Sequence, residues 1–193
     1  MFPINIPNVL TLLRILAAPV VVVALLGETP NGDALAAGVF ALAALTDGLD
    51  GYIARSRDAV TTFGKLMDPV ADKLLIAAAL VSLVSLDRLA AWVAMVIIAR
   101  EFAVTVMRVI AAERGIVIAA SWMGKAKTVL QIAAVFALIA ANPAPVWVEV
   151  LVYAAVAVTV VSGADYFFGL RRRIEEERAE RKAGKKGKSA ATG

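Results

Sequence analysis

Four aspartates, Asp47, Asp50, Asp68 and Asp72, fall within the stretch TDGLDGYIARSRDAVTTFGKLMDPVADK, which joins two strongly apolar runs. Asp47 and Asp50 are three residues apart and Asp68 and Asp72 are four apart, so on helices each pair shares one face. Two such helices in antiparallel contact would bring all four carboxylates together. Left alone, like charges at that range repel and take up protons. Two divalent cations would neutralise them and form fixed clamps for a diphosphate. The neighbouring residues suit the same chemistry: Gly51, Ala54 and Gly64 leave room for a phosphate-bearing ligand near backbone, and Arg55 offers a planar donor fork. Any one of these aspartates could instead cap a helix or pair with Arg55, Lys65 or Lys73. Four of them in two adjoining apolar helices are harder to explain, because each costs about 2.5–3.5 kcal/mol at mid-membrane without a cation or a wet cavity.

A second group is cationic. IIAREFAVTVMR carries Arg100 and Arg108, and SWMGKAKT carries Lys125 and Lys127. Basic residues so close to apolar sequence point to an anionic small molecule, most simply one bearing a phosphate. The plainer alternatives are that Arg100 pairs with Glu101 or a headgroup and that Lys127 marks the inner membrane face.

The elements that must position these groups are membrane helices. Of 193 residues, 61% are hydrophobic, and the mean hydropathy of +0.80 exceeds what a soluble domain keeps off its surface. With about 20 apolar residues needed per crossing, the pattern predicts an all-α membrane protein with six transmembrane helices: Val9–Leu26, Ala34–Ala54, Asp68–Leu86, Leu89–Ala112, Gly124–Ala141 and Val146–Leu170. Met1–Asn8, with Pro3 and Pro7, suits an interfacial segment rather than a regular helix. Cysteine and histidine are both absent. This excludes thiolate chemistry and sulfur- or imidazole-ligated metals, and leaves oxygen ligands suited to hard cations such as Mg²⁺.

The short connections 27–33, 87–88 and 142–145 contain one basic residue, Arg88. Arg55, Arg57, Lys65, Lys73, Arg114, Lys125, Lys127 and the tail fall on the other side, which the positive-inside rule assigns to the cytoplasm together with both termini. Two parts follow: a catalytic transmembrane domain over 1–170 and a basic, partly disordered cytoplasmic tail over 171–193. The tail holds nine Lys/Arg against four Glu. It reads as a contact for anionic lipid headgroups rather than for nucleic acid, since it lacks interleaved aromatics that stack on bases.

The pattern D-x₂-D-G-x₂-A-R-x₈-G-x₃-D-x₃-D, here Asp47, Asp50, Gly51, Ala54, Arg55, Gly64, Asp68 and Asp72, resembles the signature of the CDP-alcohol phosphatidyltransferase family, with eight fixed residues over 26 positions. The resemblance implies that the four aspartates bind two Mg²⁺ (or Mn²⁺) ions on the diphosphate of CDP-diacylglycerol and that Asp72 also takes the proton from the attacking hydroxyl. It implies that Gly51, Ala54, Arg55, Thr61 and Gly64 surround the CDP-lipid, with Asn8 and Thr11 of NIPNVLTLLR as weaker candidates on the cytidine side. Arg14 in the same segment could equally be a snorkelling charge. NIPNVLTLLRI, TDGLDGYIAR, LMDPVADKLL, IIAREF and SWMGKAKT together resemble the bacterial branch of the family whose acceptor is glycerol-3-phosphate. On that basis Arg100, Arg108, Lys125 and Lys127 are expected to hold the acceptor phosphate in a homodimeric, multi-pass enzyme of the cell membrane with its site facing the cytoplasm. Inositol phosphate is the alternative acceptor. A divalent-cation transporter is a more distant alternative, since permeation needs ligands near mid-bilayer open to both faces.

Overall fold

In a computed structural model, the backbone is described for residues 6–27, 29–57, 62–113 and 122–190, and side chains for 9–27, 29–46, 70–113 and 122–176. The described residues form helices without strands: α1 (Ile6–Leu26), α2 (Gly32–Arg57), α3 (Thr62–Ser85), α4 (Ala91–Glu113), α5 (Trp122–Ala140) and α6 (Val146–Ala190). Three are long and apolar enough to cross a membrane, over Val9–Leu26, Trp122–Ala140 and Val146–Glu176, and Gly32–Thr46 is a shorter apolar helix. This is the pattern of a membrane protein. The interruptions in the remaining helices are the charged residues singled out above, including Asp72, Lys73, Arg100, Glu101 and Arg108.

The helix boundaries depart from the sequence reading at three places. α1 starts at Ile6 and takes in Pro7, because proline is tolerated in the first turn, where its missing N–H would have no helical partner. α3 begins at Thr62, so Asp68 and Asp72 lie inside the helix rather than at its start. α6 runs unbroken through Leu170 to Ala190, where a disordered end is expected from composition. The segment RRRIEEERAERKA is built from good helix formers with Glu and Arg one turn apart, and the Arg171–Glu175 pair at 2.9 Å is one such contact. At 1.5 Å per residue α6 is about 68 Å long, more than twice the thickness of a bilayer core.

Among the described residues, α1 packs mainly against α3 and α2, while α6 packs against α5 and α4. Small side chains let the helices approach closely: Ala18, Ala36 and Ala79 are buried beside Val21, Phe40, Leu80 and Leu83. Leu12, Leu13, Leu16, Val23, Leu42 and Leu45 lie on the outside, an apolar surface of the kind that lipid contact requires.

The charge-poor turns gather at one end. Asn31 and Asp87 adopt left-handed backbone with φ of 68° and 56°, a conformation that short polar side chains tolerate. Arg88 donates to the Asp33 carboxylate at 2.9 Å, tying the α3–α4 turn to the start of α2. The contact between α4 and α6 then runs the length of the bundle. It begins with Trp92 stacked on Tyr153 at 6.2 Å between centroids, passes through Arg100 and Ser162, and ends with Arg108 over Tyr166. The two helices therefore run in the same direction, and the last two rungs lie at the charged end.

Candidate active site

A cavity of about 410 Å³ lies where α3, α4, α5 and α6 meet, lined by Asp72 and Lys73, by Arg100, Glu101, Thr105 and Arg108, by Lys125 and Lys127, and by Ser162 and Tyr166, among others. Its described walls hold five cations, Lys73, Arg100, Arg108, Lys125 and Lys127, against two carboxylates, Asp72 and Glu101. Among the described residues the walls thus carry an excess of three positive charges, an electrostatic surrounding that favours an anion.

Helical register explains how the cations come together. Arg100 and Arg108 are eight residues apart, close to two turns, so both fall on the face of α4 that meets α6. Lys125 and Lys127 sit in the first two turns of α5, which opens onto the same space. Glu101 organises the floor. Its Oε1 accepts from Lys127 Nζ at 2.5 Å and from Arg100 Nη1 at 3.1 Å. Lys127 is only 5% exposed, and a buried ammonium needs such a partner. The sequence alternative that paired Arg100 with Glu101 is thus present, and Lys127 joins it rather than marking the membrane face.

Arg100 Nη2 also donates to Ser162 Oγ at 2.9 Å, and the Ser162 hydroxyl donates to the Thr159 carbonyl at 3.1 Å. Gly163 makes room for the arginine stem: a Cβ there would stand 3.2 Å from Arg100 Cγ. Arg108 lies with its guanidinium carbon 5.9 Å from the Tyr166 ring centroid, within cation–π range. Among the described residues neither Arg108 nor Lys125 has a carboxylate partner. Two polar atoms on these walls, Arg100 Nε and Tyr166 Oη, are buried without a hydrogen-bond partner among the described residues.

The aspartate motif is described in part. α2 includes positions 47 and 50 and α3 includes positions 68 and 72, so the i,i+3 and i,i+4 spacings are helical. Asp72 is half-buried and lines the cavity. The side chains of Asp47, Asp50, Asp68, Gly51, Ala54, Arg55, Gly64 and Asn8, and the whole of Thr61, lie outside the described residues. Among the described residues no group of three carboxylates or other ligands could hold a metal. Thr11 and Arg14 are buried in α1 at 1% and 2% exposure, so Arg14 is an interior residue rather than one that snorkels to the interface.

All four cations named from sequence as acceptor candidates thus surround one cavity together with Asp72. Sequence reasoning passed over Tyr166, Ser162 and Thr105, because a lone hydroxyl in an apolar helix gives no signal.

Comparison with known proteins agrees with this chemistry. The profile described as CDP-alcohol phosphatidyltransferase matches residues 4–161. The CDP-diacylglycerol–glycerol-3-phosphate 3-phosphatidyltransferase of Bacillus subtilis (strain 168) is 44% identical over an alignment covering 84% of this chain and 93% of that protein. A probable phosphatidylglycerophosphate synthase of Mycobacterium tuberculosis (strain CDC 1551 / Oshkosh) is 42% identical, covering 84% of this chain and 79% of its own. The Rickettsia felis enzyme named like that of Bacillus subtilis is 36% identical, with 84% and 93% covered. With its aspartate pairs on successive helices and a profile match over most of its length, the chain belongs to the CDP-alcohol phosphatidyltransferase family.

Proposed function

We propose that the chain transfers a phosphatidyl group from CDP-diacylglycerol to glycerol-3-phosphate, giving phosphatidylglycerophosphate and CMP. The observation that carries this reading is the cavity itself, in which Arg100, Arg108, Lys125 and Lys127 share walls with Asp72. An anionic acceptor held by those cations is brought to the end of the aspartate motif. The names of the relatives above support glycerol-3-phosphate as that acceptor.

Asp47, Asp50, Asp68 and Asp72 would hold two Mg²⁺ ions. The donor set fits: it is all oxygen, in a chain without histidine or cysteine, and such sets select hard cations. When bound, the ions supply charge neutralisation on the diphosphate. Gly51, Ala54, Arg55, Thr61 and Gly64 would line the CDP-lipid, with Asn8 and Thr11 towards the cytidine.

On the acceptor side, Arg108 and Lys125 take the phosphate, since neither is committed to a carboxylate among the described residues. Arg100 and Lys127 form the positive floor that Glu101 fixes in place. The free hydroxyl then attacks the β-phosphorus of CDP-diacylglycerol. A new P–O bond forms, the bond to the CMP oxygen breaks with its electron pair leaving on CMP, and the hydroxyl proton passes to the Asp72 carboxylate. Holding both reactants in one site supplies much of the rate.

In this reading residues 1–170 form the catalytic domain with six crossings, 171–193 form a cytoplasmic extension, the cavity opens to the cytoplasm, and the enzyme works as a homodimer in the cell membrane. The test is an acceptor panel. Purified protein with Mg²⁺ and labelled CDP-diacylglycerol should release CMP with glycerol-3-phosphate and far less with inositol phosphate, serine or glycerol. Turnover with inositol phosphate but not glycerol-3-phosphate would remove the acceptor assignment. Divalent-cation flux into liposomes without CMP release would remove the enzymatic reading.

A further inference from the structure

Most buried polar groups find a hydrogen-bond partner, and one that does not while facing a cavity marks where a ligand atom belongs. Among the described residues, Arg100, Gln131, Thr159 and Tyr166 have such side-chain atoms. Gln131 borders a separate pocket of about 10 Å³, room for one water at most, and Thr159 lines neither that pocket nor the large cavity. Arg100 and Tyr166 line the large anion-attracting cavity. Both unmatched atoms, Arg100 Nε and Tyr166 Oη, can donate a hydrogen bond.

The geometry points to Tyr166 as an acceptor-binding residue whose phenol donates to a phosphate oxygen of the acceptor while its ring holds Arg108 in place for the same phosphate. This rests on the phosphatidyl-transfer reading and adds to it a specificity determinant outside the aspartate motif. Three observations agree. The hydroxyl is buried and unmatched in a half-buried residue. The ring lies 5.9 Å from the Arg108 guanidinium carbon, so the tyrosine also positions an arginine that has no carboxylate partner among the described residues. On the same wall of α6, one turn earlier, Ser162 fixes Arg100, so α6 orients both arginines of α4.

Tyr166→Phe is the appropriate variant, because it keeps the ring and the cation–π contact and deletes only the hydroxyl. In the full-length protein, the KM for glycerol-3-phosphate should rise about tenfold to a hundredfold, the range for losing a hydrogen bond to a charged group. The KM for CDP-diacylglycerol and the thermal midpoint should stay within the error of wild type. Tyr166→Leu, which removes the platform under Arg108 as well, should raise the acceptor KM further. An unchanged acceptor KM in Tyr166→Phe would overturn the inference, as would equal increases for both substrates or a fall in thermal midpoint, which mark a structural role. If the wild type prefers another phosphorylated alcohol, the acceptor assignment fails, and the same KM shift measured on that alcohol still supports Tyr166.

Discussion

The α4–α6 contact is built in two ways along its length. At the charge-poor end Trp92 stacks on Tyr153, and nearby Arg88 is matched by Asp33. At the charged end Arg100 and Arg108 meet Ser162 and Tyr166, and buried donors are left over. The first region is complete as it stands, whereas the second carries more positive charge and more donors than its protein partners use. Natural proteins keep such an imbalance where a ligand completes it. The two ends differ in completeness: the first matches its polar groups within the protein, and the second keeps donors and positive charge that its protein partners do not use.

The comparison can be broken by removing the residue that organises the charged end. Glu101→Gln leaves Lys127 and Arg100 without their shared carboxylate. Removing one partner of a buried pair typically costs about 3–5 kcal/mol, so thermal unfolding in detergent should show a large loss of stability. Arg108→Ala should spare the fold, since the residue is exposed to the cavity and has no carboxylate partner among the described residues. It should raise the KM for glycerol-3-phosphate by about tenfold to a hundredfold, from loss of a charge-assisted contact worth roughly 1.5–3 kcal/mol. Steady-state kinetics with CDP-diacylglycerol held saturating will check this. The smallest effect on the kinetics belongs to the other end. The Arg88 and Asp33 side chains are 18% and 35% exposed, so the pair is part-buried, and Arg88→Ala should cost about 1–3 kcal/mol from the partner left unmatched and leave both KM values unchanged.

The sequence made the helices legible because each apolar run is long, and the breaks between them are marked by residues such as Pro30, Asn31, Asp87 and Pro143. Boundaries were less legible where charge sits inside a helix. Asp68 reads as a helix start because apolar density begins after it, yet α3 starts a turn and a half earlier, at Thr62. The tail is legible in its first part, where RRRIEEERAERKA reads as helix-compatible through Glu and Arg at helical spacing; the Gly/Lys/Ser/Ala stretch after it reads as disordered, and α6 runs on to Ala190. In the site, Arg100, Arg108, Lys125 and Lys127 were visible because a cation in apolar sequence is costly and therefore conspicuous. Glu101 was visible only as a possible neighbour of Arg100. Its second bond, to Lys127, depends on how α4 meets α5, which spacing along the chain does not encode. Tyr166 and Ser162 were invisible for the same reason, since their meaning comes entirely from what α6 is packed against.

The account stands most directly on Asp72, which joins the aspartate motif to the acceptor cavity. The decisive measurement is glycerol-3-phosphate-dependent CMP release by Asp72→Asn beside wild type, with CDP-diacylglycerol binding followed in parallel. A proton acceptor contributes about 10²–10⁴-fold, so kcat should fall by at least a hundredfold while the variant remains folded, with CDP-lipid binding weakened rather than lost because Asp47, Asp50 and Asp68 remain. CMP release within a few-fold of wild type would contradict it.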